Sequence, residues 1–449
     1  MRKTSLSIAV GLALAQFIPA PVTAADTTED FIEVNTSISL DDTTKAQTKT
    51  LNYDKNVIYT HNGKIALNGQ GGKKDLTINV KNGSGDFIVR DRYAPIQLDN
   101  SDIHLKFNSN LVMEGMEYAG IVYGSGNVPR ELNITGDFIY RDSYATAIKA
   151  STGNSRGNLF VITIDGKADL RNVSIHGNGK TTASGSLLDL GATDFEAKQG
   201  VFIDNIDGNT AGDWNTAIFL VNGSLKAENQ NIEITNINFN VASRVNTSIY
   251  VQSSPVKAKN ILIKGLTNKY DNDLYGYING TEANTVSDSL TICDIRNLKT
   301  GNSLALYMEA DSRSRYGDTN FNVGTLTIDN VVANDGIAEG MSVGGAARDN
   351  GKLNAQAGSV SINGVHGTRG AVGAEISDGA SFTSVNNFAV TDVKATAGDA
   401  IGLMLGAKTT VGDTLSVQNV RGTTSAVGVQ FDGTQAFSSK VVQVKDIKA

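Results

Sequence analysis

Apolar and polar residues alternate along short stretches of this chain, and the alternation is broken each time by asparagine, aspartate or glycine followed at once by another apolar residue. Ten copies of this unit end at Leu170 to Val173, Ile203 to Ile206, Ile234 to Ile237, Ile263 to Leu266, Ile292 to Ile295, Ile328 to Val331, Ile362 to Val365, Val390 to Val393, Val417 to Val420 and Val444 to Ile447. Two residues before each anchor the side chain is apolar in every copy: Ala168, Val201, Ile232, Ile261, Leu290, Leu326, Val360, Phe388, Leu415 and Val442. A period of two with one apolar face predicts a strand that buries one side. The interrupting positions are Asn172, Asn205, Asn236, Gly265, Asp294, Asn330, Gly364, Asp392, Asn419 and Asp446. Those are the residue types that most readily take a left-handed or turn backbone, so a bend is predicted at each.

Successive anchors are 27 to 36 residues apart. Most are followed by a second apolar segment, such as Ile218 to Leu220, Ile249 to Val251, Leu304 to Met308, Ile401 to Leu405 and Val427 to Phe431. Two or three short strands per unit, with no capped helical pattern, predict an all-β fold: a right-handed parallel β-helix (β-solenoid) of about 12–13 coils, each of 24–36 residues. A leucine-rich repeat would need a denser leucine consensus and a steadier period. A propeller would need blades of about 40 residues with Trp-Asp signatures, and Trp214 is the only tryptophan. Weaker anchors at Ile88, Val112 and Ile139 extend the repeat toward the N-terminus. The expected organisation is a leader over 1–25, a polar N-terminal cap over 26–85, and a solenoid over 86–449 that stops in mid-coil.

The leader expectation rests on Arg2 and Lys3, the apolar run from Leu6 to Ile18, and small residues ending at Ala24 and Ala25, the pattern of a cleaved secretory signal. The run is shorter than the ~20 residues of a spanning helix. Of 449 residues, 39 are basic and 46 acidic, a formal charge of −7, which disfavours nucleic acid as partner. With Cys293 alone, no intramolecular disulfide forms.

The leader, the near-absence of cysteine and the ten bend units over 168–447 together resemble the passenger domain of bacterial autotransporters, the type V secretion class. The resemblance implies export to the cell surface or medium of a Gram-negative bacterium. It further implies an outer-membrane β-barrel translocator as partner, whose girdled strands do not appear after Ile447. It makes an adhesin or structural rod, binding a host or matrix glycan or protein, the leading functional expectation. End-to-end self-association through an open final coil is a further one.

Catalytic constellations are sparse. The alternative is a carbohydrate-active β-helix enzyme, which would need two or three of Asp189, Asp204, Asp207 and Asp213 to converge within ~5–9 Å. His176-Gly177 and His366-Gly367 lack the glycine that precedes such a pair in polygalacturonases. Gly83 to Asp86 has the wrong order for a serine nucleophile loop, and Gly412 to Leu415 carries threonine where an esterase box has serine. His61, His104, His176 and His366 have no partner at metal-ligand spacing, so neither metal nor cofactor is expected. Cys293 reads as an unpaired thiol. The longest intervals, 36 and 34, fall on consecutive coils and place extra residues after the second strand. Equivalent insertions stack side by side, so Arg313, Arg315, Tyr316, Arg348 and Lys352 form the expected ligand-binding ridge.

Overall fold

A computed structural model describes residues 30–449 apart from 61–63, 91–95, 101, 125–129, 151–159, 177–184, 211–213, 242, 244, 310–317, 345–351, 378 and 433–435. The chain is a parallel β-solenoid: every strand pairing is parallel and joins one coil to the next. One sheet has 14 strands in strictly successive order, from Ile38–Leu40 to Ala426–Phe431. The remaining 24 strands form two ladders, one of them running from Phe31–Val34 to Val441–Lys448 and carrying the bends. The other runs from Gln47–Tyr53 to Phe437–Ser438. In the middle coils the two ladders fuse into long strands that turn the corner unbroken, such as Asn284–Thr300 and Thr319–Asp335.

All ten predicted bend residues have positive φ, between 55° and 74°. Each is skipped by the register, so the strand breaks there and resumes: Arg171 pairs with Asp204 and Val173 with Ile206, on either side of Asn172 and Asn205. Gly115 (φ 70°) and Asp142 (φ 50°) continue the column upward. Side chains tie the column between coils. Asn172 Nδ2 donates to Asp142 Oδ1 (3.1 Å), Asn205 Nδ2 to Asn172 Oδ1 (2.8 Å), and Asn330 Nδ2 to Asp294 Oδ1 (2.6 Å). The anchor column runs through paired, buried Leu170, Ile203, Ile234, Ile263, Ile292 and Ile328, so that each inward residue stacks on its equivalent in the next coil. Burial of such β-branched columns is the main stabilising term, at roughly 1.5–3 kcal/mol per side chain.

Within residues 26–85, set apart in the sequence as a cap, the described strands form coils of their own. Phe31–Val34 pairs with Asn56–Tyr59, Gln47–Tyr53 with Lys74–Val80, and Ile38–Leu40 with Ile65–Asn68. The repeat is hidden there because Lys74 stands at an inward position, fully buried. Its amine donates to the carbonyls of Asp42 (2.9 Å), Lys45 (2.6 Å) and Gly72 (3.2 Å), which satisfies the charge without a counter-ion.

The 14-stranded sheet has a second bend of different chemistry. From Gly185–Gly191 on, its register skips one residue per coil, and in sequence these are Leu187, Ala217, Ser248, Gly276, Ala305, Gly340, Gly373, Gly402 and Gly428. After Leu187 the column holds only small residues. A Cβ on Gly402 would overlap Val417 Cγ1 and sit 2.6 Å from the Gly428 carbonyl oxygen. Because the skipped residue points inward, the outward positions on its two sides form two columns on the outer face.

Candidate functional site

Arg313, Arg315, Tyr316 and Arg348 of the expected ridge lie outside the described residues. Lys352 is exposed and leads into Leu353–Gly367, its backbone N–H donating to Asp318 Oδ1 (3.0 Å). The strands that feed the two loops, Ser303–Glu309 and Ile337–Gly344, are paired neighbours in the 14-stranded sheet, with Tyr307 opposite Ser342 and Glu309 opposite Gly344.

The carboxylates considered for polysaccharide cleavage do not share a face. Asp189 is in the 14-stranded sheet, whereas Asp204 and Asp207 flank the bend at Asn205 in the other, and Asp213 lies outside the described residues. Asp204 is engaged in the bend column, accepting from Thr235 Oγ1 (2.6 Å) and Asn236 Nδ2 (2.8 Å). Of the histidines, His104 meets Glu131 (3.1 Å), His366 meets Asp392 (2.8 Å) and His176 meets Ser174 (3.0 Å), each on the surface; His61 lies outside the described residues. Among the described residues no group of three His, Cys, Asp or Glu is placed to hold a metal ion. Burial, with the Asp294 charge beside it, pushes the Cys293 thiol above its usual range and makes it a poor nucleophile.

A different cluster emerges on the outer face of the 14-stranded sheet. The register sets Asp189, Phe219, Tyr250, Ile278, Tyr307, Ser342 and Glu375 in one column. Across the small-residue bend runs a second, of Thr247, Tyr275, Leu304, Glu339 and Val372. At one coil per ~4.8 Å, the strip from Phe219 to Glu375 is about 24 Å long. Phe219 and Tyr250 stack almost flat, centroids 5.3 Å apart and planes 8° from parallel. Tyr275 and Tyr307 meet across the two columns at 6.1 Å. Leu304 and Ile278 fill the floor between the rings and are buried.

The strip is half-buried and acidic. Glu339 Oε1 is shielded from solvent and has no hydrogen-bond partner. Burial, reinforced by the neighbouring Glu375 charge and only partly offset by a hydrogen bond from Ser342, pushes the Glu339 carboxyl up to about 8. Burial does the same to the phenols: Tyr250, beside Glu309, and Tyr275, beside Asp273, Glu339 and Glu309, are each pushed up to about 12. At the strip's far end, burial raises Asp189 to about 6 against the opposing pull of Lys149. No lysine or arginine occurs in the nine strands of this sheet from Gly185–Gly191 to Ala426–Phe431, while Asp189, Glu309, Glu339, Glu375 and Asp399 do.

The sequence reading found several of these strands as its second apolar segments but followed the loops and passed over their outward side chains. Its available signal was charge: nine successive second segments with acids and aromatics but no cation. No protein-family profile, curated protein or solved structure matches the chain. The fold and the strip therefore carry the functional argument between them.

Proposed function

We propose that the chain is an exported, passenger-type rod of the autotransporter class, displayed at a bacterial surface or released from it, that binds an extended saccharide along the outer face of its 14-stranded sheet. The observation that supports this most directly is the strip of Phe219, Tyr250, Tyr275 and Tyr307, held in register by successive coils. Rigid rings on strands present apolar faces for the C–H surfaces of sugar rings, with carboxyl oxygens beside them to accept from hydroxyls. A solenoid suits an extended ligand because its sites repeat along one axis. The rod itself supplies length and stiffness.

The test is retention on immobilised polysaccharides of differing composition, comparing the native chain with Tyr275→Ala/Tyr307→Ala. Both rings are partly exposed, so the variant keeps its fold, which far-UV circular dichroism verifies. Retention should fall at least tenfold on the polysaccharide that binds, at about 1–3 kcal/mol per stacked ring by analogy with base–aromatic platforms. Undiminished retention, or a loss produced only by Arg313→Ser/Arg315→Ser/Arg348→Ser, would move binding off the strip.

A further inference from the structure

We propose that Tyr275, Tyr307, Glu309, Glu339 and Glu375 form a site for an organic ammonium group, presented by the saccharide as a free 2-amino sugar. This rests on the saccharide reading above and names the ligand's chemistry.

The first argument is the unmet oxygen. A buried acceptor without a donor costs free energy that a native fold ordinarily avoids, at roughly 1–3 kcal/mol. Glu339 Oε1 is such an acceptor, and it stands on a surface strand rather than in the core. The side chain as a whole is only partly buried, so it can turn its carboxyl to a ligand that brings a charged N–H donor.

The second argument is the surroundings. Tyr275 on Leu274–Asn279, Tyr307 and Glu309 on Ser303–Glu309, Ser342 on the same strand as Glu339, and Glu375 on Gly370–Ile376 are the titratable and polar groups set around the carboxyl. Among the described residues none of these is cationic. Leu304 and Val372, directly opposite Glu339 on the neighbouring strands, are apolar. An anionic sugar such as a uronate would be repelled by these carboxyls, whereas an ammonium would meet carboxyl oxygens and the negative faces of two tyrosine rings.

The third argument separates an organic cation from a metal. A hard metal ion needs several oxygens converging on one point, and the described residues hold no such group. An ammonium needs one carboxylate and aromatic walls, which are present. The stacked Phe219–Tyr250 pair two coils away then holds the neutral part of the same chain of sugars.

Binding has a proton signature. In the empty face Glu339 is protonated near neutral pH because ionisation is opposed by burial and by Glu375. An ammonium beside it reverses that balance, so the carboxyl ionises and a proton leaves for the solvent.

The experiment is isothermal titration of the full chain at pH 5.5, where the free amines are charged and Glu339 is still protonated, with a glucosamine hexamer and, separately, with the N-acetylglucosamine hexamer, each in two buffers of different ionisation enthalpy. The deacetylated oligomer is expected to bind at least tenfold tighter and to release a proton. Glu339→Gln should remove the proton release and bring the two oligomers to equal affinity. Equal affinity for the two oligomers, unchanged in Glu339→Gln, overturns the ammonium site and leaves the saccharide reading standing. Failure to bind either oligomer, with binding of an oligolysine peptide in their place, overturns both.

Discussion

Replacing Asn205 by alanine tests whether the bend column is specified by backbone conformation or by its side-chain hydrogen bonds. Asn205 sits at φ 55°, and its amide donates to Asn172 Oδ1 (2.8 Å). Alanine meets two costs there: the left-handed backbone, at about 1–2 kcal/mol for a residue with a Cβ, and the lost hydrogen bond, at about 0.5–1.5 kcal/mol. Asparagine already bears part of the first, so the expected total is about 2 kcal/mol. Glycine at 205 loses the same hydrogen bond, is relaxed at positive φ, and is disfavoured mainly by the freedom it gains when unfolded, roughly 0.5–1 kcal/mol. The column itself accepts glycine at 265 and 364. A control is at hand in Asn363, whose Nδ2 makes a similar bond to Asp329 Oδ1 (2.7 Å) with no positive φ, so Asn363→Ala should cost only the bond. A long repeat array does not unfold in one step, and each coil touches only its neighbours. The readout is therefore native-state hydrogen exchange of the amides of 203–208 and of the paired 170–175 and 234–239. Asn205→Ala should open these about five times more than Asn363→Ala opens its own coil, since about 1 kcal/mol is a factor of about five, while Asn205→Gly should lie within about 0.5 kcal/mol of alanine. An alanine effect no larger than that of Asn363→Ala would refute the conformational account.

Two further outcomes follow from the second bend and from the strip. Gly402→Ala should cost about 1–3 kcal/mol by overpacking, because its Cβ meets Val417 Cγ1 and the Gly428 carbonyl. Gly115→Ala meets nothing within 4 Å and should cost only its φ of 70°. Thermal melts of the pair check the order, and a milder effect at Gly402 would count against the packed bend. Glu339 gives a pH dependence of unusual sign. Its folded value, about 8, lies above the unfolded one near 4.5, so the native state holds a proton that the unfolded chain releases between them. Its contribution is full below about pH 4.5 and is lost as pH rises toward 8. The urea midpoint of Glu339→Gln should gain on that of the native chain from pH 5 to pH 8; a constant difference would place the carboxyl in water.

The bend column could be read from sequence because two independent requirements coincide at one position. Asparagine, aspartate and glycine tolerate the backbone best, and the residues on both sides must face the core, so the motif is short, strict and repeated. Where one requirement fails, the reading fails with it. In residues 31–80 the coils are present, but Lys74 occupies an inward position and satisfies itself on three carbonyls, an arrangement that hydrophobic periodicity does not reveal. The small-residue bend of the 14-stranded sheet was likewise hidden. Its glycines interrupt the period of two inside segments such as Leu274–Asn279 and Asp399–Leu405, which therefore look irregular although each interruption recurs at the same register position.

The strip itself lies beyond what periodicity can show, for a reason that belongs to solenoids in general. An inward residue is constrained by its equivalents above and below, so its character recurs with every coil. An outward residue has no such neighbourly demand, and Phe219, Tyr250, Ile278, Tyr307, Ser342 and Glu375 share a column without sharing a chemistry. What unites them is composition over distance: apolar and acidic outward positions, with cations withheld from nine consecutive strands while the rest of the chain carries lysine and arginine freely. Solvation alone would have admitted either sign of charge on an outer face. That bias of sign is what the proposed ammonium site requires, and the oxygen of Glu339 that lacks a hydrogen-bond partner is where the proposal seats it.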